Sequence, residues 1–273
     1  MLKYCSVIFI ILFISCDYNK KTIISIDSPS FKLSEDIFFN FNKPFFQNVQ
    51  INYEFDSNCS ENLILKKIDA CITTNGLNKN DSINFQLNNI KPLQQKIASD
   101  GVIIVVNSTN IVEILEELDI EKIFLGDIQF WDELGGSSNQ IIVYKLENET
   151  EKLFSELVIN GKNIYDLAIG IDNINLMIES IEEDYNSIGF IRASQLNEVI
   201  TKLKIISIKY PKIDLIIVPL LKNIKSLNYK YSRNYYLQTT LPMNSTIEIF
   251  YKEIISDKIQ KNLENKGYIT LKK

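Results

Sequence analysis

Residues 98–136 read ASDGVIIVVNSTNIVEILEELDIEKIFLGDIQFWDELGG, and more fold information is concentrated here than anywhere else in the chain. Asp100 and Gly101 make an Asp-Gly turn leading into residues 102–106, an unbroken β-branched apolar run of the length of a strand buried on both faces. The polar residues 107–110 break it. Beyond them Ile111, Leu115, Leu118, Ile120, Ile123 and Phe124 recur at helical spacing, with Glu113, Glu116, Glu117 and Glu121 on the solvent side. Gly126 fits a stop just past such a helix.

Composition narrows the function classes. A chain of 273 residues, 45% hydrophobic and 23% charged, is long enough for one large or two modest globular domains. Its net charge of −5 supplies no basic face for nucleic acid and no global field for an anion, so any anion site must be local. Histidine is absent, which removes the commonest general base and zinc ligand and argues against an enzyme or a metal cofactor. Arginine occurs twice, at Arg192 and Arg233.

The N-terminus reads as an export signal. Lys3 precedes an apolar segment over residues 7–14, far short of the about 20 residues that span a bilayer. Its end, Phe13-Ile14-Ser15-Cys16, resembles a bacterial lipobox, which implies removal of residues 1–15, a diacylglyceryl anchor on Cys16 and a polar tether over residues 16–21.

Further on, strands and helices alternate. Residues 22–26 read as a strand followed by a turn at Asp27, Ser28, Pro29 and Ser30, and residues 34–46 as a helix with Ile37, Phe38, Phe41 and Phe45 inward. A strand over 49–55 ends at Asp56, Ser57 and Asn58. Ser60 and Glu61 open a helix with Leu63, Ile64 and Ile68 inward, and residues 70–73 form the third strand. Such alternation predicts a mostly parallel sheet, in which ligands sit at the carboxyl ends of the strands. A disulfide is open to an exported protein, but Cys71 in a strand and Cys59 near the start of the preceding helix tend to lie beyond the ~7 Å limit. Two free buried thiols are therefore expected. A strand is predicted over 140–144, helices over 151–158 and 173–182, and a strand or buried edge over 215–221. Ile247, Phe250, Ile254, Ile255, Ile259 and Leu263 share one face of a C-terminal helix.

The ending IEKIFLGDIQFWDELGG, a short helix after DGVIIVVN, resembles the "DGIAVIVN…LRDIFTGKITNWKELGG" signature of the periplasmic phosphate-binding proteins of ABC transporters. Four further blocks agree in order and spacing: DSPSF, IDACITT, YNSIGFIRASQL, and YKYSRNYYLQTT followed by a helix and GYITL. The resemblance implies a two-lobed α/β fold of the type II Venus-flytrap class, crossed twice at a hinge. Residues 22–100 and 208–273 would form the first lobe, residues 101–207 the second, with the hinge near Gly101 and Gly189.

It also implies a site. Ser30 and Phe31 stand where the family donates a hydroxyl and backbone N–H to an oxyanion; Asp56, Ser57, Thr73 and Thr74 stand on the neighbouring loops. Small hydroxyl residues at helix starts suit a dehydrated anion. The same residues are ordinary caps and turn formers. In the second lobe the family's arginine and Ser-Gly-Thr are replaced: Tyr144 or Lys145 falls at the arginine, and Asn148, Glu149 and Thr150 at the tripeptide. The expected role is capture of phosphate or a similar small oxyanion by an exported, lipid-anchored, monomeric protein that presents it to a permease, with no cofactor and no nucleic acid. The alternative is a surface lipoprotein on the same fold that has lost phosphate binding and serves as a sensor or interaction module. Arg233 reads as a hinge or ion-pair residue.

Overall fold

A computed structural model describes residues 21–54, 58–211 and 214–271. The signal segment and Cys16 lie outside the described residues. β1 (Thr22–Asp27) leads through a tight turn into α1 (Phe31–Phe38), and a second helix, α2 (Lys43–Gln47), precedes β2 (Val49–Glu54). The sequence predicts one helix across this region; the chain makes two. Asn42 caps α2 by accepting from Phe45 N, and Pro44 occupies the first turn, where its missing N–H costs nothing but where a continuous helix would be broken. α3 (Cys59–Ile64), β3 (Ala70–Thr73) and α4 (Lys79–Leu87) follow, and β1 pairs in parallel with both β2 and β3.

β4 (Lys91–Asn107) is seventeen residues long and fully buried from Ile97 onward. The expected turn at Asp100 and Gly101 does not form, because both residues are held inside this strand by antiparallel pairing with β12 (Ser232–Leu241). Gly101 is there for closeness: a Cβ at this position would stand 2.9 Å from the Tyr231 carbonyl oxygen.

After β4, residues 114–116 form a strand, β5 (Ile114–Glu116), and only then does α5 (Glu117–Leu125) begin. Of the helix predicted from Ile111, residues 111–113 are irregular, 114–116 are strand, and only the part from Glu117 on is helical. β5 pairs with β10 (Ser207–Tyr210), a partner far along the chain, and Ile111 and Leu118 are left exposed. Gly126 ends α5 in the left-handed conformation, φ 82°, as expected. Next come β6 (Ile142–Leu146), α6 (Glu149–Leu157), β7 (Ile169–Ile171), α7 (Ile174–Glu183) and β8 (Ser187–Arg192). α8 (Leu196–Val199), β9 (Leu203–Ile205), β11 (Leu215–Ile217) and α9 (Leu221–Lys225) lead to β12. Beyond it the single C-terminal helix divides into α10 (Ser245–Ile254) and α11 (Asp257–Asn265), because Ser256 caps a new helix; β13 (Ile269–Thr270) returns to β4.

Ten strands form a curled mixed sheet in the order β2-β1-β3-β12-β4-β8-β6-β7, with β9 and β13 also paired to β4, and β11-β10-β5 form a separate three-stranded sheet. β4 is shared: residues 91–101 pair with β12, and residues 102–106 with β8. Two cores lie on either side of that division. One gathers Ile24, Ile26, Ile72, Ile97, Leu237 and Phe250; the other gathers residues 102–106 with Trp131, Phe154, Phe190 and Tyr229. The protein is two-lobed, with β4 running from one lobe into the other and β12 beginning beside the crossing. Trp131 of the FWDELGG motif is 1% exposed and donates through Nε1 to Asn186 O at 2.9 Å, so the most distinctive motif in the sequence is a core anchor.

Cys59 and Cys71 are joined in a disulfide, with Cα atoms 6.2 Å apart, contrary to the two free thiols expected. α3 is only six residues long and the chain reverses at Lys66, φ 54°, which brings the first turn of α3 back over the middle of β3. Leu63, Ile68 and Phe85 pack around the bridge. A closed loop of this size contributes about 3 kcal/mol. Urea unfolding with and without reductant should show a loss of about 2–3 kcal/mol on reduction. Gly101→Ala should cost about 1–3 kcal/mol through the clash with Tyr231 O, seen as a Tm lowered by several degrees.

Candidate functional site

At the carboxyl end of β1, Asp27 is 3% exposed and its carboxylate collects three donors. Ser30 N donates to Oδ1 at 3.1 Å, Thr73 Oγ1 to Oδ2 at 2.7 Å and Thr74 N to Oδ2 at 3.0 Å. Three of the residues assigned to an oxyanion are therefore brought together, around the protein's own carboxylate. The fold makes this unavoidable: β1 and β3 are parallel neighbours in register, so the turns after them meet. Ser30 Oγ is buried without a hydrogen-bond partner among the described residues. Phe31 packs edge-on against Tyr53, ring centres 5.0 Å apart. Asp56 and Ser57 lie outside the described residues.

The second-lobe candidates stand at the start of α6. Asn148 caps it, Oδ1 accepting from Thr150 N at 2.8 Å; Thr150 is buried, and Lys145 Nζ pairs with Glu151 at 3.3 Å. No hydrogen bond joins this group to the Asp27 group among the described residues. The two also line different hollows: Thr74 borders one with Asn75 and Gln238, Asn148 another with Glu147 and Ser155.

Between the lobes is a cleft of about 170 Å³. Its first-lobe wall is Ser28, Pro29, Phe31 and Lys32, with Asp36, Lys266 and Tyr268 behind; its second-lobe wall is Glu149, Lys152, Leu153 and Glu156. These last four lie at i, i+3, i+4 and i+7 of α6, one helical face. Asp100, Arg192, Arg233 and Tyr235 line it from β4, β8 and β12 where these strands meet at the division between the lobes.

Both arginines of the chain are thus in one cleft, and each reaches across it. Arg192 pairs with Asp100 through Nη2 at 2.5 Å and Nε at 3.4 Å, donates Nη1 to Lys266 O at 2.8 Å, and lies over the Tyr268 ring at 4.8 Å. Arg233 donates Nη1 to Glu156 at 2.7 Å and Nε to Tyr235 OH at 2.7 Å, and lies over the Tyr235 ring at 5.2 Å. Burial opposes the charge on Arg192, but Asp100 outweighs it and holds the guanidinium above its ordinary pKa. For Arg233 burial is outweighed in the same way by Tyr235, Asp100 and Glu156. Burial pushes the Tyr235 and Tyr268 hydroxyls up, so the rings stay neutral. Both guanidiniums on the floor of the cleft stay ionised, each paired with a carboxylate.

Sequence reasoning named Arg233 only as a hinge or ion-pair residue and missed Arg192, Asp100, Lys152 and Glu156 as neighbours in the cleft. The available signal was arginine itself, present twice among 29 basic residues. A planar two-pronged cation is worth retaining where lysine will not substitute.

Comparison with known proteins agrees with this architecture. A family model described as a PBP superfamily domain matches residues 58–258. The phosphate-binding protein PstS of Staphylococcus haemolyticus is 29% identical over 188 residues, covering 66% of this chain and 58% of that relative's length. Among solved structures, a possible phosphate binding protein from Planctomyces limnophilus superposes with a TM-score of 0.73 at 21% identity, covering 92% of this chain and 93% of the other. PstS from Borrelia burgdorferi gives 0.61 at 20% identity, with coverages of 92% and 99%. An ABC-type phosphate transport receptor from Vibrio cholerae gives 0.57 at 20% identity, with 92% and 100%. With the domain model spanning well over half of its length, the chain belongs to the PBP superfamily and resembles the phosphate-binding, PstS-like proteins within it.

Proposed function

We propose that this protein is the extracytoplasmic solute-binding component of an ABC transporter, held to a membrane by a lipid on Cys16, which captures phosphate or a similar small oxyanion between its lobes and presents it to the permease. The observation that carries this reading is the cleft itself: both lobes contribute its walls and two ionised arginines its floor. The S. haemolyticus relative is named for phosphate binding and the V. cholerae neighbour for ABC-type phosphate transport, which supports the ligand class and the partner. On this reading residues 22–100 and 208–273 build one lobe and residues 101–207 the other. Ligand contacts from both lobes favour the closed state, and closure is what the permease recognises. The protein works as a monomer and performs no chemistry on its ligand.

A second reading has a specific observation in its favour. Asp27 already takes the donors of Ser30, Thr73 and Thr74, and a like charge ~4 Å from it would be repelled by about 4 kcal/mol at an effective dielectric of 20. A hydrogen bond to a charged group returns only about 1.5–3 kcal/mol. A protein of this fold that no longer binds phosphate, acting as a sensor or interaction module, is the alternative.

Thermal melts of the mature domain against phosphate, sulfate and other oxyanions separate the two. A ligand at 100 times its Kd should stabilise by about 2.7 kcal/mol, a rise in Tm of about 5–10 °C. No rise with any member of the panel leaves the second reading. Independently, Cys16→Ser should move the protein from the membrane to the soluble fraction of the producing cell; unchanged fractionation removes the lipid anchor from the proposal.

A further inference from the structure

We infer that the anion is seated at the hinge, on Arg233 with Lys152 and Lys266, and that Glu156 is an internal stand-in which the ligand displaces. This rests on the oxyanion-binding reading and moves the seat away from the strand tips where the sequence pointed.

The two arginines differ in how replaceable their partners are. Arg192 is fixed on Asp100 by two contacts and on the Lys266 carbonyl by a third, and Asp100 is 2% exposed; nothing in that arrangement can leave without orphaning a buried charge. Arg233 is held from behind, by its place opposite Asp100 in the β4–β12 ladder and by the Tyr235 hydroxyl and ring. Its carboxylate partner is different. The Glu156 side chain is 35% exposed, stands on the rim of α6, and makes its contact with Arg233 alone among the described residues. The carboxylate end of this pair stands at the rim, where it can turn into water, while the guanidinium stays held by the Tyr235 hydroxyl and ring.

What Glu156 vacates is a guanidinium edge suited to two oxygens of one anion. Lys152 lies one turn before Glu156 on the same face of α6, and Lys266 faces it from the other lobe; neither ammonium has an ion-pair partner among the described residues. The cleft of about 170 Å³ holds a phosphate-sized ion with water to spare. In the present structure Arg233–Glu156 bridges the hinge strand to the second lobe; a small oxyanion on Arg233 would draw in Lys152 from that lobe and Lys266 from the first, replacing an internal bridge by a ligand-dependent one. At the strand tips, by contrast, Asp27 is 3% exposed and bound by three donors, an occupant with no route out.

Titration calorimetry of inorganic phosphate, sulfate and acetate into the mature protein and four variants tests the assignment. Glu156→Gln removes the competitor and should tighten binding of the preferred anion about two- to five-fold. Lys152→Gln should weaken it by a similar factor, and Arg233→Gln by about tenfold or more. Ligand-free melting temperatures report whether Arg233→Gln folds; the other two changes are on the exposed face of a helix and keep the test intact. Asp27→Asn should leave affinity unchanged. Binding by the unaltered protein that none of the hinge variants changes, or that Asp27→Asn tightens, overturns the hinge seat while leaving oxyanion binding standing. No heat from the unaltered protein or from Glu156→Gln overturns both.

Discussion

Everything in this molecule depends on one strand that belongs to both lobes. β4 pairs with β12 from Lys91 to Gly101, with a register shift at Ile97, with β8 from Val102 to Val106, and with β9 from Val105 to Asn107. Its residues are buried from Ile97 to Asn107, so each backbone N–H and C=O along that length must find a partner in a neighbouring strand. The changeover falls at Asp100 and Gly101. Gly101 permits the approach of Tyr231 O, and Asp100, buried between two arginines, ties β8 and β12 to the same point. Beside this crossing, side-chain bridges span the cleft: Arg192 to the Lys266 carbonyl and Arg233 to Glu156.

At two places a carboxylate of the chain takes up donors of the chain itself. Asp27 does so at the strand tips and Glu156 at the hinge. The two are far from equivalent, because burial and the number of donors decide whether an occupant can be exchanged. Asp27 has three donors and almost no contact with water, whereas Glu156 has one donor and a rim position. A net charge of −5 gives the molecule no long-range attraction for anions, so whatever binds in the cleft is recognised by contact.

The disulfide and the split helices show how short-range and long-range forces divide the work. Asn42, Asn58, Asn78, Asn148, Asn173 and Asn244 each cap a helix through their own side chains, and Ser256 caps another. These interactions span two or three residues and are written in the local sequence. The Cys59–Cys71 pairing needs the reversal at Lys66, and the conversion of residues 114–116 to strand needs β10, more than ninety residues away.

From the sequence alone the alternation of strands and helices and the two-lobed fold were legible, because local periodicity marks the elements and five blocks of family-like residues, FWDELGG among them, mark the fold; the caps at Asn42 and Ser256 that split two expected helices were also written locally but were not read. It pointed to the turns after β1 and β3 as neighbours. Only the tertiary structure decided what those turns hold and where the cations gather. Asp27 meets Thr73 across 46 residues, Arg233 meets Glu156 across 77, and Arg192 meets Asp100 across 92. Contacts of that range are products of strand register and lobe packing, which no window of sequence contains, and the chemistry of the cleft is made of them.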